Sequence, residues 1–327
     1  MRHTLTFLES DYHVLTEHLY AHPNVEQAAY LICRAAKTPT EIRLLVTEVL
    51  PVRGEEILEA SRHHMKITSR SFTQAMQRAD QKKSCFVFVH THPSDTPDHS
   101  DQDDREEKKL FRTAYIRIST PGVHASLVFT SGSISSGRVW LKDGSTAPLD
   151  SIRIVGERFR FWFPKKDTVT IPEFFERQVR AFGPEIQLLL KQLRIGVVGV
   201  GGTGSCVVEQ LVRLGVGALI IADYDSFEPS NVNRVYGSRV IDGGIAKVKL
   251  AERLSADIGL GTQIQVIPQS ITFESVLSQF RECDAVFGCT DDEWGRSLLT
   301  RFAIYYGIPV FDMGVRIDPE DEKIKSI

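Results

Sequence analysis

An apolar run, CFVFVHTH, closes on two histidines at alternate positions, and this constrains the first half of the chain more than any other feature. Phe86, Val87, Phe88 and Val89 read as a buried strand. Residues two apart on a strand face the same side, so His90 and His92 converge. Pro93 and Pro97 turn the chain back toward Ser100, and DDREEKKLFRTA (103–114) predicts a helix with acids in its first turn. Asp103 at that helix start completes two imidazoles and one carboxylate at the spacing of three zinc ligands. A fourth position is left for water, as in catalytic rather than structural sites. Asp95, Asp98, His99, Asp101 and Asp104 are neighbouring donors, and only spacing selects Asp103. The adjacent His63 and His64 are expected on a strand, pointing to opposite faces as surface or groove residues.

The second half carries a different signal. RIGVVGVGGTG (194–204) is an apolar strand running into Gly199, Gly201, Gly202 and Gly204, and SCVVEQLVRLGVG then has helical period. Glycines let backbone approach phosphates closely, and a helix N-terminus supplies free N–H groups with positive potential. Asp223 closes the next strand, ALIIAD, where an acid holds ribose hydroxyls. Dehydrogenases, flavoproteins and adenylating enzymes share this arrangement. All ten histidines lie between His3 and His124, so the second half lacks the imidazole proton relay of many nicotinamide enzymes, although Tyr and Lys can replace it.

The pattern His90-x-His92-Pro93 followed by Ser100-x-x-Asp103 resembles the JAB/MPN (JAMM) metallopeptidases, which cleave isopeptide or peptide bonds after ubiquitin-like modifiers. The resemblance implies Zn2+ held by His90, His92 and Asp103, with Ser100 donating to the oxyanion and an upstream glutamate carrying the proton. HPNVEQAAYLI (22–32) is similar to the family's glutamate segment and assigns that role to Glu26, although Glu48, Glu55 and Glu56 also precede the motif. The residue types suit hydrolysis. Zinc lowers the pKa of a bound water from about 15.7 toward about 7, and a carboxylate then moves the proton to the leaving amine.

ADYDSFEPSNVNRVYG (222–237), GIAKVK (244–249) and VFGCTDDEWGR (286–296) resemble the ThiF/MoeB superfamily, the adenylating core of ubiquitin-activating enzymes. The resemblance implies ATP and Mg2+. The four glycines would cradle phosphates, Asp223 hold the ribose, Asn231 and Arg234 the phosphates, Lys247 the phosphate under attack, and Asp291 the magnesium. FERQVRAFG (175–183) is similar to an entry helix whose arginine, here Arg177, reaches the ATP site of a partner subunit, which implies a homodimer through this domain. Joining a modifier's carboxylate to the α-phosphate brings two anions together, so Arg234 and Lys247 take catalytic parts.

These readings give an α+β JAB/MPN domain over 1–164, a linker at 165–173 bounded by charge and prolines, and an α/β doubly wound, Rossmann-like ThiF-type domain over 174–327. Strands are expected at 43–51, 84–92, 124–130, 137–142 and 157–163, and helices at 11–21 and 103–115. ThiF-type domains continue past the strand at PVFDMGV into a crossover segment with a catalytic cysteine, so the second domain is expected to be incomplete at its C-terminus. Cys33, Cys85, Cys206, Cys283 and Cys289 form no CxxC pair, which excludes a cysteine-rich zinc site and a disulfide scaffold. Lys and Arg total 39 against 42 Asp and Glu, a formal charge of −3, so no nucleic-acid surface is expected. The apolar runs are strand-sized, and MRHTLTFLES lacks a signal-peptide core, so no membrane partner and a cytoplasmic location are expected. The expected function is a zinc isopeptidase fused to an adenylating domain, acting on a ubiquitin-like modifier and its conjugates in a bacterial-type system, with a conjugating enzyme as a further partner. A nicotinamide oxidoreductase and a non-catalytic modifier-binding scaffold are the alternatives.

Overall fold

Strand β1 (Arg2–Leu8) runs directly into helix α1 (Glu9–Leu19), and the hairpin of β2 (Ala28–Lys37) and β3 (Glu41–Pro51) follows. A small hairpin, β4 (Ile57–Ala60) and β5 (Met65–Ile67), precedes α2 (Ser69–Gln81), β6 (Cys85–Thr91), α3 (Asp101–Arg117), β7 (His124–Thr130) and β8 (Ser133–Trp140). Strands β9 (Thr146–Pro148), β10 (Ser151–Val155) and β11 (Arg160–Trp162) complete a nine-stranded sheet in the order β11-β10-β1-β3-β2-β6-β7-β8-β9. Within it β1 is parallel to β3 and β10, and β6 is parallel to β7, while β2 is antiparallel to both its neighbours. This computed structural model describes residues 1–94, 96–119, 122–164, 170–314, 318–320 and 323–326. It divides into two compact units, Met1–Lys166 and Asp167–Ile327. Residues 165–169 of the expected linker lie outside the described residues.

Period-two alternation sorts the side chains of the large sheet onto two cores. Val87 and Val89 join Leu5, Phe7 and Leu31 beneath Leu15 and Leu19 of α1. Phe86 joins Tyr30, Ile32 and Trp140 beneath Met76 and Ala79 of α2 and Phe111 of α3. His90 shares the parity of Phe86, which places it on the α3 side.

Two sequence expectations are corrected here. His63 and His64 lie in the turn joining β4 and β5, not on a strand, so their alternation says nothing about their facing. The expected strand 157–163 pairs only at β11, and Phe159 is exposed. Strands β1, β2 and β10 and helix α2 were not anticipated. AAYLICRAAK has few strand-forming residues, and burial between β3 and β6 decides its conformation.

The second unit begins with α4 (Glu176–Phe182) and α5 (Pro184–Gln192). Strand and helix then alternate through β12 (Arg194–Val198), α6 (Gly202–Arg213), β13 (Ala218–Ala222), α7 (Lys247–Ile258), β14 (Gln263–Ile267), α8 (Glu274–Phe280), β15 (Ala285–Gly288), α9 (Glu293–Tyr306) and β16 (Val310–Asp312). These five strands are parallel, in the order β14-β13-β12-β15-β16. Val208, Leu211 and Val212 of α6 and Val248 of α7 cover one face; Val276 and Phe280 of α8 and Leu299 and Phe302 of α9 cover the other. Ligands of such sheets lie beyond the carboxyl ends of the strands, where the strand order reverses. Among the described residues, no helix is long and apolar enough to cross a membrane.

Candidate metal and nucleotide sites

β6 ends where the first site begins. His90 pairs in register with Ala28 of β2 and Val128 of β7, and the His92 N–H donates to the Phe129 carbonyl (2.8 Å), so sheet pairing fixes the backbone under both imidazoles. Their Nε2 atoms stand 3.1 Å apart. His92 Nδ1 lies 2.9 Å from the Thr96 carbonyl, which places the proton on Nδ1 and turns the Nε2 lone pair to the cluster. Ser100 caps α3: its N–H and hydroxyl both donate to Asp103 Oδ2 at 2.7 Å, and its hydroxyl accepts from the Asp103 N–H. The cap aims the carboxylate, with Oδ1 3.2 Å from His90 Nε2 and Oδ2 3.3 Å from His92 Nε2.

Those separations test whether a metal fits. Ligand atoms at the 2.0–2.1 Å bond lengths of tetrahedral zinc stand roughly 3.3 Å from one another. The imidazole nitrogens meet that spacing at 3.1 Å, and the carboxylate reaches them through separate oxygens, Oδ1 at 3.2 Å from His90 and Oδ2 at 3.3 Å from His92; one donor atom from each residue lies within 4.8 Å of the others, a group that could hold one such ion. Burial alone would raise the Asp103 carboxyl, but the two imidazoles and the Ser100 hydroxyl hold it well below the ordinary carboxylate range. His90 Nδ1 is buried without a hydrogen-bond partner among the described residues.

Glu26 is buried just before β2, its N–H donating to the Ser61 carbonyl in the β4–β5 turn (2.8 Å). Burial raises its pKa; His90 and His92 pull it down and Asp103 pushes it up, which sets the carboxyl in the field of the cluster. Glu48 instead pairs with Arg78 and Lys82, and the Glu56 carboxylate caps the N–H of Arg53. Among the other donors, Asp104 pairs with Arg138, Asp98 and Asp101 are exposed, and Asp95 lies outside the described residues. His99 is turned away into a buried network with Ser126, Ser136 and Glu107. Sequence reasoning missed that network. Its one local signal is that Glu107 lies one helical turn beyond Asp103.

In the second unit the glycines differ in what they do. Gly199 has φ +87°, and a side chain there would strike the Cys289 carbonyl at 2.8 Å. At Gly204 a Cβ would sit 1.8 Å from the Gly199 carbonyl oxygen, so α6 can start only this close to β12 with no side chain. Gly201 faces open space, and the Arg234 stem lies over Gly202. Asp223 follows β13 directly: Oδ2 accepts from the Val200 N–H (2.7 Å) and Oδ1 from the Asp225 N–H (2.8 Å), tying the glycine loop to the next strand end. Burial raises its pKa against those two bonds.

Around this loop stand the remaining candidates. Asn231 is buried and caps a short turn through the Glu228 N–H; the exposed Arg234 donates to the Ser230 carbonyl (3.2 Å). Lys247, the first residue of α7, donates to Asp225 Oδ2 at 2.6 Å, a partner that sequence reasoning did not identify. Asp291 is exposed after β15, whereas its neighbour Asp292 caps α9 through the Trp294 and Gly295 N–H groups. Tyr224, Phe273 and Trp294, with Pro268 and Gln269, line a cavity of about 500 Å3 beyond the ends of β13 and β14. Arg177 is exposed on α4 beside Glu173, Phe174 and Glu176, in a depression that none of the glycine-loop residues lines.

Comparisons with known proteins match a different family in each of the two units. Residues 9–132 match the family described as prokaryotic homologs of the JAB domain, and residues 175–317 match the ThiF family. Similar proteins include the adenylyltransferase and sulfurtransferase UBA4 of Candida glabrata, 33% identical over 37% of this chain and 28% of that protein. The sulfur carrier protein ThiS adenylyltransferase of Bacillus subtilis is 30% identical over 39% of this chain and 38% of its own length. The chain thus spans about a third of the length of the curated relatives it matches. Among solved structures, E. coli tRNA N6-threonylcarbamoyladenosine dehydratase in complex with ATP aligns with a TM-score of 0.42 at 26% identity, covering 46% of this chain and 65% of that one.

Proposed function

Because this chain joins a domain of the prokaryotic JAB family to a domain of the ThiF family, we propose that it cuts at, and then activates, the C-terminus of one small ubiquitin-like protein. The observation that carries this reading is the convergence of His90, His92 and Asp103 to within 3.3 Å of one another beside a buried Glu26. A zinc ion on these ligands would polarise the scissile carbonyl and acidify water. Glu26, whose pKa burial raises, takes the proton of the attacking water and delivers it to the leaving amine. The Ser100 hydroxyl, now on Asp103, would have to rotate toward the carbonyl oxygen to stabilise it.

The carboxylate so released is the group that the second domain consumes. ATP would lay its phosphates along Gly199–Gly204 at the α6 N-terminus, its ribose on Asp223 and its adenine in the cavity lined by Tyr224, Phe273 and Trp294. Lys247 and Arg234 neutralise the two approaching anions, with magnesium on Asp291. UBA4 and the ThiS adenylyltransferase bear names for adenylating chemistry, which supports this half of the reading. The second name supports a sulfur-carrier partner, and that of the similar ubiquitin-like modifier-activating enzyme 5 of Caenorhabditis elegans a ubiquitin-like one. A homodimer in which Arg177 completes the site of a second copy, and a cytoplasmic location, belong to the same proposal.

Two measurements test it. Glu26→Gln should retain zinc and lose about 10²- to 10⁴-fold in cleavage of a modifier fusion; undiminished cleavage would remove Glu26 from the reaction. ATP–pyrophosphate exchange should depend on added modifier and on Lys247. Modifier binding with neither cleavage nor exchange would leave only the scaffold alternative.

A further inference from the structure

Resting on the metal reading above, we propose that Glu107 and His99 are positioning residues that hold Asp103 at the metal site from both sides. Glu107 lies one helical turn beyond Asp103 on α3, on the same face of the helix. It is fully buried, and its Oε2 accepts from Ser126 Oγ (2.6 Å), Arg138 Nη2 (2.7 Å) and Trp140 Nε1 (3.0 Å). All three donors come from β7 and β8, and β7 is the strand beside the one that carries His90. Arg138 also pairs with Asp104, the residue next to the ligand.

His99 anchors the other side. It directly precedes the cap Ser100, and its two ring nitrogens stand 3.2 Å from Ser126 Oγ and 3.3 Å from Ser136 Oγ. Its ring meets that of His90 edge to face, centroids 6.2 Å apart. Ser126 therefore touches both anchors: it faces His99 and donates to Glu107. A buried ionic cluster is a costly way to stabilise a fold, since apolar residues of similar volume often do as well or better. What this cluster adds is position. The loop before Asp103 and the turn after it are both tied to the sheet that holds the imidazoles, so the carboxylate is in place before a metal arrives.

The test compares zinc affinity, measured by competition with a chromophoric chelator, with the unfolding midpoint of the metal-free full chain. Glu107→Gln should weaken zinc binding about 10- to 100-fold, and His99→Gln about tenfold, in protein whose near-ultraviolet circular dichroism is unchanged. Glu48→Gln, which removes an acid paired with Arg78 and Lys82, should lower the midpoint without moving zinc affinity. Zinc affinity within twofold of wild type in folded Glu107→Gln, or in His99→Gln should the first variant not fold, overturns the positioning role alone. Failure of the wild-type chain to bind zinc overturns this role and the metal reading together.

Discussion

The two candidate sites of this chain are held in opposite ways. At His90, His92 and Asp103 every ligand is set by backbone pairing, a carbonyl or a helix cap, and all three are largely buried. Around the glycine loop the cations rest on stand-in partners, Lys247 on Asp225 and Arg234 on the Ser230 carbonyl, while Asp291 is exposed. A metal site gains from rigidity because its ligand atoms must lie within a few tenths of an ångström of their bonding positions. A nucleotide site for two successive anions gains from cations that move between partners.

The largest effect should come from breaking the rigid site. His90→Ala leaves one imidazole and one carboxylate, and elemental analysis of the purified protein should find zinc lost altogether with nucleotide binding untouched. Retained stoichiometric zinc would mean that the ion sits elsewhere.

In the looser site the outcome should depend on which glycine is changed. Gly204→Ala forces a Cβ onto the Gly199 carbonyl and should cost about 1–3 kcal/mol in unfolding as well as ATP binding. Gly201→Ala meets open space, so stability should hold while ATP binding falls, because a methyl would then stand where phosphate oxygens approach. Equal destabilisation by both, read by urea unfolding and calorimetric ATP titration, would contradict the distinction.

Acid should weaken the metal-site unit in two stages. His124 is fully buried, and burial depresses its pKa to about 4 from an unfolded value near 6.5. Its contribution is present above 6.5 and is lost as pH falls toward 4, on the order of 3 kcal/mol. Burial alone would raise the Glu41 carboxyl, but Arg43 and Arg153 together hold it at about 2, so a second loss follows between about 4.5 and 2. Urea midpoints of His124→Gln should show a smaller upper stage, the remainder belonging to groups such as His99, whose pKa burial also lowers; an unchanged profile would assign the whole stage to those other groups.

The smallest effect probes the parked lysine. Asp225→Asn releases Lys247 from a half-exposed ion pair worth about 0.2–1 kcal/mol, so ATP affinity should rise by up to about fivefold. A fall would show that Asp225 itself contacts the nucleotide or its metal.

Sequence reasoning reached furthest where spacing is short. His90 and His92 converge because a strand repeats every two residues, and Ser100 can cap Asp103 because a helix begins between them; both relations are local. The glycine loop is legible for the same reason. Glu26 was proposed only by likeness to a family segment, since its placement depends on β2 lying in register with β6, Ala28 opposite His90. The Glu107 network was not legible at all: Arg138 and Trp140 reach it from β8, and no local pattern announces which strand a helix will face.

By itself, then, the order of residues pointed to two candidate sites, a three-donor cluster and a glycine loop, because each is written within a dozen or so positions. Only tertiary structure decided what surrounds them. It brought Glu26 into the field of the imidazoles, clamped α3 through Glu107, and parked Lys247 on Asp225. Those placements arise from strand pairing and helix packing between distant segments, where burial and hydrogen-bond satisfaction, rather than local periodicity, select the partner.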